Sequence, residues 1–160
     1  MYIGTQDLLK QYDAYLLEHG YQIEELVNLA SDALLNHFTQ YNRFAILIGP
    51  GNNGADGYSL GLKLEKQGKH VIYYYSGDIG KVSQANRYYR DQCEENHLIY
   101  VDEDNINTIN WNDYDCIVDG LFGFGLNSAP RGMYKIIIES IMNNYNGTIG
   151  AIDIPTGLDC

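Results

Sequence analysis

Nine consecutive residues, Gly49-Pro50-Gly51-Asn52-Asn53-Gly54-Ala55-Asp56-Gly57, combine backbone freedom with side-chain oxygens. Gly49, Gly51 and Gly54 fit the G-x-G-x-x-G turn, which lets backbone N–H groups approach a pyrophosphate at a helix N-terminus. Asn52, Asn53 and Asp56 add oxygens where a phosphate would prefer bare N–H groups. Oxygens at this density suit a hard cation or a ribose hydroxyl as well as a phosphate. The segment therefore reads as a place for a nucleotide together with an ion.

Two later segments carry the same mixture. One runs Asp119-Gly120-Leu121-Phe122-Gly123-Phe124-Gly125-Leu126-Asn127-Ser128-Ala129-Pro130-Arg131-Gly132, the other Asp153-Ile154-Pro155-Thr156-Gly157-Leu158-Asp159. A single aspartate after a strand is ordinarily a turn residue or cap. Three of them, Asp56, Asp119 and Asp153, each beside glycines, would repel one another if left alone. A cation or a shared proton is their natural companion.

The elements that position these segments alternate. The first 40 residues read as two helices: Thr5 caps one with Leu8, Leu9, Tyr12, Leu16 and Leu17 on its apolar face, and Gly20 stops it. The second runs on from Gln22, with Leu26, Leu29, Ala30, Ala33, Leu34 and Phe38 at helical spacing. Strands follow over 44–48, 71–75, 98–101, 116–118 and 148–152. Helices are predicted over 56–67, 82–95 and 132–142, with a weak turn over 105–110. Strands separated by helices imply βαβ units and a parallel sheet covered on both faces. In such sheets ligands sit beyond the carboxyl ends of the strands, and each candidate segment lies just after a strand.

Two rival motifs fail on context. Gly57-Tyr58-Ser59-Leu60-Gly61 matches the G-x-S-x-G nucleophile elbow, but that serine must sit on the turn directly after a strand. Ser59 comes well after Ile48, inside the next helix, and neither His70 nor His97 stands in a motif that marks a base. A dehydrogenase would want an acidic residue for the ribose about 20 residues past its glycine turn. Only Asp78 serves, somewhat late, and Asn52, Asn53 and Asp56 suit a pyrophosphate poorly.

Composition bounds the rest. A chain of 160 residues with 45% hydrophobic and 19% charged content makes one globular domain. A net charge of −11 repels nucleic-acid backbones, though it does not exclude a nucleotide in a pocket. No apolar run is long enough to span a membrane and no cleavable signal leads the chain, so a cytoplasmic protein without membrane partners is expected. Cys93, Cys116 and Cys160 are scattered, with no C-x-x-C pair for zinc or a disulfide framework. Tyr73-Tyr74-Tyr75 in a strand and Tyr88-Tyr89 in a helix read as packing.

The three segments together, in this order, resemble the NAD(P)H-hydrate epimerase family, also called the YjeF N-terminal domain. Glu25-Leu26-Val27-Asn28-Leu29-Ala30-Ser31 is similar to a diverged form of its N-terminal signature. The resemblance covers nearly the whole chain and implies a Rossmann-like three-layer α/β/α sandwich with a mostly parallel sheet and two N-terminal helices. It implies an isomerase that interconverts the R and S forms of hydrated NADH and NADPH, coupled to a separate dehydratase. By resemblance Asn52, Asn53, Gly54, Ala55 and Asp56 would contact the nucleotide substrate. Asn53, Asp119 and Thr156 would supply oxygens to potassium. Gly123, Phe124, Gly125, Leu126, Asn127, Ser128 and Ala129 would wrap the substrate, and Asp153 would contact it near the reacting ring. Inverting the hydrated carbon requires losing and regaining water, or opening and closing the ring. Either route needs a group that gives and takes a proton, and Asp153 is the catalytic candidate.

Four departures accompany the resemblance. Ala55 stands for a glycine, which a negative φ would accommodate; Thr156 stands for a serine and keeps its hydroxyl; Asn28 and Ser31 weaken the first signature. The family domain also continues past the third motif. The chain is thus expected to be a truncated single domain that lacks one sheet edge and part of the pocket. A non-catalytic nucleotide-binding or scaffold protein of the same fold is the alternative, and a homodimer through the first helix is compatible with either. No ATP-binding signature suggests a dehydratase or kinase.

Overall fold

A computed structural model describes residue 11 and residues 14–123 and 129–156. The continuous apolar run of residues 44–48 becomes β1 (Arg43–Ile48), and four further strands follow: β2 (His70–Tyr75), β3 (Leu98–Tyr100), β4 (Cys116–Gly120) and β5 (Thr148–Ala151). All pair in parallel, in the order β3-β2-β1-β4-β5. Four helices are α1 (Ile23–Leu35), α2 (Asn52–Lys66), α3 (Gln84–Arg90) and α4 (Met133–Asn144), preceded by a helical stretch over 14–18 that ends at Gly20. None of the described helices is long and apolar enough to cross a membrane.

Successive side chains of a strand point to opposite faces, and β1 shows both faces buried. Phe44, Ile46 and Ile48 join Val71, Tyr73 and Val118 in one core with Val27, Tyr58, Leu60, Leu64 and Tyr89 from α1, α2 and α3. Ala45 and Leu47 join Ile72, Tyr74 and Ile117 in a second core with Trp111 and with Ile137 and Ile141 of α4. Helices on both sides of a parallel sheet give the three-layer α/β/α sandwich expected. The strand order reverses between β1 and β4, so a crevice opens at their carboxyl ends, the place where doubly wound folds bind ligands.

Several boundaries differ from the sequence reading. Helix α2 starts at Asn52, four residues before the predicted 56, so Asn52, Asn53 and Asp56 lie on its first turns and not in a loop. Glycine-rich sequence argues against helix, but burying α2 against the sheet outweighs that local cost. Ala55 sits in this helix with no side-chain exposure, and no non-glycine residue among those described has positive φ. Helix α3 covers only Gln84–Arg90, because Ser83 caps it by accepting from Asn86 N–H at 3.2 Å and a new turn intervenes before β3. Asp119 lies inside β4 rather than after it.

The packing expectations hold for Tyr73, Tyr74 and Tyr89, which are buried; Tyr88 is instead 52% exposed. Ser59, rejected as a nucleophile, is buried with its Oγ 2.7 Å from Ser31 Oγ. Ser31 thus carries a packing role that ties α1 to α2. His97 Nδ1 lies 2.6 Å from Glu65 Oε1, at the carboxyl end of α2 and so on the opposite rim from the crevice. Burial pushes the Cys93 thiol up to about 12 and the Cys116 thiol to about 11, which keeps both protonated and unreactive near neutrality. Cys160 lies outside the described residues.

Candidate functional site

The crevice is assembled from the ends of three adjacent strands. Beyond β1, Gly49 N–H donates to Gly120 O at 3.0 Å, so the first segment leaves the sheet alongside the second. Gly51 caps α2 in an extended conformation. In any α-helix the first N–H groups have no carbonyl one turn back. Here they belong to Asn52, Asn53 and Gly54, and with the helix dipole they favour an anion. The Asn53 backbone carbonyl lies against Gly120: a Cβ on Gly120 would stand 3.4 Å from it. Asn52 is exposed, Asn53 and Asp56 are half-buried, and Gly54 and Ala55 are buried.

Asp119 ties the second and third segments together. Its side chain is within a residue only 8% exposed. Oδ1 accepts from Leu121 N–H at 3.1 Å and from the Thr156 hydroxyl at 2.8 Å, and Oδ2 accepts from Thr156 N–H at 2.7 Å. Phe122 N–H in turn donates to Thr156 Oγ1 at 3.3 Å. The hydroxyl that replaces the usual serine therefore both donates and accepts, and keeps one lone pair. Nothing in the sequence singled out Phe122 for this backbone part.

Asp153 follows β5 and is exposed. A Cβ on Gly123 would collide with the Asp153 carboxylate, so the absence of a side chain at Gly123 is what lets the third segment close on the second. Tyr134, read from the sequence only as a helix position, walls the crevice on the β2 side. Its hydroxyl donates to Ser76 O at 2.8 Å, and its ring meets Phe122 edge-on at 5.0 Å. The structure thus brings together Asn52, Asn53, Asp119, Gly123, Asp153 and Thr156. Phe124, Gly125, Leu126, Asn127 and Ser128 lie outside the described residues; Ala129 is described and exposed.

Two features of the crevice call for a group that the described residues do not supply. Asn53 Nδ2 is buried with no hydrogen-bond partner among the described residues. Left so, it costs about 1–3 kcal/mol. A ligand acceptor would satisfy it, and turning the amide over would present Oδ1 to a cation instead. Asp119 Oδ2 and Thr156 Oγ1 each keep a lone pair beyond the bonds given above. An all-oxygen donor set of amide, carboxylate and hydroxyl fits a hard monovalent cation and suits zinc poorly.

The second feature is Gly51. A Cβ there would meet nothing within 4 Å, and its φ of −94° is open to any residue. Packing among the described residues gives no reason for glycine. The space fits a ligand backbone pressed against the turn. Gly51→Ala is expected to leave the melting temperature within about 2 °C of the parent, as a surface change does. It should weaken nucleotide binding about tenfold, read by titration calorimetry; unaltered binding would show that the ligand does not approach Gly51.

Comparison with known proteins identifies the family and the fold. The family described as YjeF-related protein N-terminus matches residues 23–160. A protein of Anaerococcus prevotii named NAD(P)H-hydrate epimerase is 35% identical over 141 residues, covering 84% of this chain and 64% of that protein. One of Leuconostoc citreum with the same name is 30% identical, covering 99% of this chain and 71% of its own length. The chain therefore spans about two thirds of these relatives. The crystal structure of yeast Ynu0 (YNL200c) superposes with a TM-score of 0.84 at 24% identity, covering 99% of this chain and 72% of that one, a likeness of fold.

Proposed function

Because this chain belongs to the YjeF-related N-terminal family, we propose that it is an NAD(P)H-hydrate epimerase, which interconverts the R and S forms of hydrated NADH and NADPH in cytoplasmic nucleotide repair. The observation that carries the reading is the closure of Asp153 onto Gly123 at the mouth of a crevice floored by Asp119 and Thr156. A carboxylate at that place can serve a reacting ring while the N-terminus of α2 holds the phosphates.

In this reading the unpartnered N–H groups of Asn52, Asn53 and Gly54 bind the pyrophosphate and fix the nucleotide. Asp153 delivers a proton to the departing hydroxyl of the hydrated carbon, which leaves as water while the ring nitrogen's lone pair forms the C=N bond. Re-addition of water from the other face returns the proton to Asp153 and gives the epimer. Asn53, Asp119 and Thr156 would hold potassium, whose charge offsets the gathered carboxylates when bound. The S product would pass to a separate dehydratase.

The test mixes the chain, in potassium buffer, with the hydrated NADH epimer that an S-specific dehydratase does not use, together with that dehydratase and its phosphate donor. Absorbance of regenerated NADH should rise in proportion to this chain. A flat trace beside a working control epimerase would reject the activity for this chain. Calorimetric binding of NADH in that event would identify the non-catalytic nucleotide binder.

A further inference from the structure

One buried polar side chain is aimed at the glycine turn from behind. Asn86, in the first turn of α3, is 1% exposed. Its Nδ2 donates to Gly49 O at 2.8 Å and to Gly51 O at 3.3 Å. Between them, Ser83 N–H donates to Pro50 O at 2.9 Å. Three successive carbonyls of the turn are thus held by the start of one helix. Ser83 also fixes Asn86 itself, by accepting from its N–H at 3.2 Å.

The consequence is directional. A peptide's C=O and N–H point opposite ways, so drawing the carbonyls of Pro50 and Gly51 toward α3 turns the N–H groups of Gly51 and Asn52 toward the crevice, while the Gly49–Pro50 peptide, which has no N–H, is simply held in place. The back of the turn is closed: the cavity there, lined by Pro50, Tyr75, Ser76, Val82 and Arg90 among others, has a volume of about 10 Å³. That is room for a water molecule at most. Gly54 belongs to the same arrangement, since a Cβ on it would stand 2.6 Å from Asn86 Nδ2 and collide with Gly49 O. The third glycine of the motif makes way for the asparagine.

We propose that Asn86, seated by Ser83, is a positioning residue that sets the 49–51 turn for nucleotide binding. The inference rests on the epimerase reading for its substrate, but not for its mechanical content. Asn86 acts through the turn and does not touch the substrate. Two amide hydrogens shared between two carbonyls is the feature that only an asparagine-type donor supplies here. Aspartate in its place would set carboxylate oxygens against carbonyl oxygens, with nothing to donate.

Asn86→Ala, Asn86→Asp and Ser83→Ala separate this role from packing. In the coupled epimerase assay, Asn86→Ala should raise KM about tenfold, the worth of roughly one buried hydrogen bond, with kcat changing by less than about threefold. Asn86→Asp should be worse than Asn86→Ala although it preserves volume; a residue that only fills space would give the reverse order. Ser83→Ala, a milder change that keeps the Pro50 bond, should raise KM by less than either. Amide hydrogen exchange of the substrate-free chain gives a second readout, expected to quicken over 49–54 in the order Asp, Ala, Ser83→Ala while β1 and β4 stay protected. Equal effects of Asn86→Asp and Asn86→Ala on exchange would overturn the proposal, as would faster exchange with unchanged KM. If the parent chain shows no epimerisation, the function falls, and the exchange order still decides whether Asn86 sets the turn.

Discussion

Asp153→Asn is expected to lower epimerase turnover by roughly a hundred- to ten-thousandfold, the range over which a positioned acid–base group contributes. Asparagine keeps the shape that lies against Gly123 but neither gives nor takes a proton. Asp153 is exposed and stands after the last residue of β5. A surface change of this kind moves stability by about 0.5 kcal/mol or less, or about 2 °C in a chain of this size. The measurement is kcat from the dehydratase-coupled assay beside a calorimetric melt. Loss of turnover at an unchanged melting temperature assigns Asp153 to the chemistry. Turnover within threefold of the parent would remove it from the mechanism and leave the crevice without its proton carrier.

The contact with Gly123 gives that experiment an internal control. A methyl group at Gly123 would collide with the Asp153 carboxylate, so Gly123→Ala should displace the carboxylate without altering its chemistry. Activity should then fall although the acid remains. If Gly123→Ala retained activity while Asp153→Asn lost it, the carboxylate would act from a position other than the one seen here.

What was legible in the sequence and what was not follow from one physical distinction. Strand ends and the residues just after them are marked by type: apolar runs stop, and glycine, asparagine or aspartate begins. For that reason the meeting of Asp119 and Asp153 could be anticipated, whereas the parts of Gly123 and Thr156 came only from the family resemblance. The helix start at Asn52 could not be, because Gly54, Gly57 and Gly61 lower local helix propensity, while the sheet beneath rewards the smallness of Gly57 and Gly61 and the Asn86 side chain that of Gly54. Asn86 was invisible for another reason. A polar residue on a short helix is ordinarily a solvated one, and nothing in its neighbours reports that two carbonyls from another loop lie beneath it. Phe122 escaped notice because its part is played by backbone, which every residue has.

Asp119→Asn should be the most destabilising single substitution in the crevice, costing on the order of 3 kcal/mol, because three donors converge on one buried carboxylate. An amide has a single acceptor oxygen. Whichever way it turns, its NH2 faces a donor, either Thr156 N–H or the pair formed by Leu121 N–H and the Thr156 hydroxyl. At roughly 2–4 °C per kcal/mol, a melting temperature lower by about 6–12 °C is expected. A drop under about 2 °C would mean that the second and third segments hold together without this tie. Thr156→Ser should retain stability, and Thr156→Val should share its cost with Asp119→Asn, so that the double variant is less unstable than the sum. The same variants test the cation. A ligand present at 100 times its dissociation constant adds about 2.7 kcal/mol to the folded state. Replacing choline with potassium in the buffer should therefore raise the parent's melting temperature by several degrees and leave that of Asp119→Asn unmoved. Equal response of the two proteins would place potassium away from Asp119, and the carboxylate would then serve as a fastener between loops and nothing more.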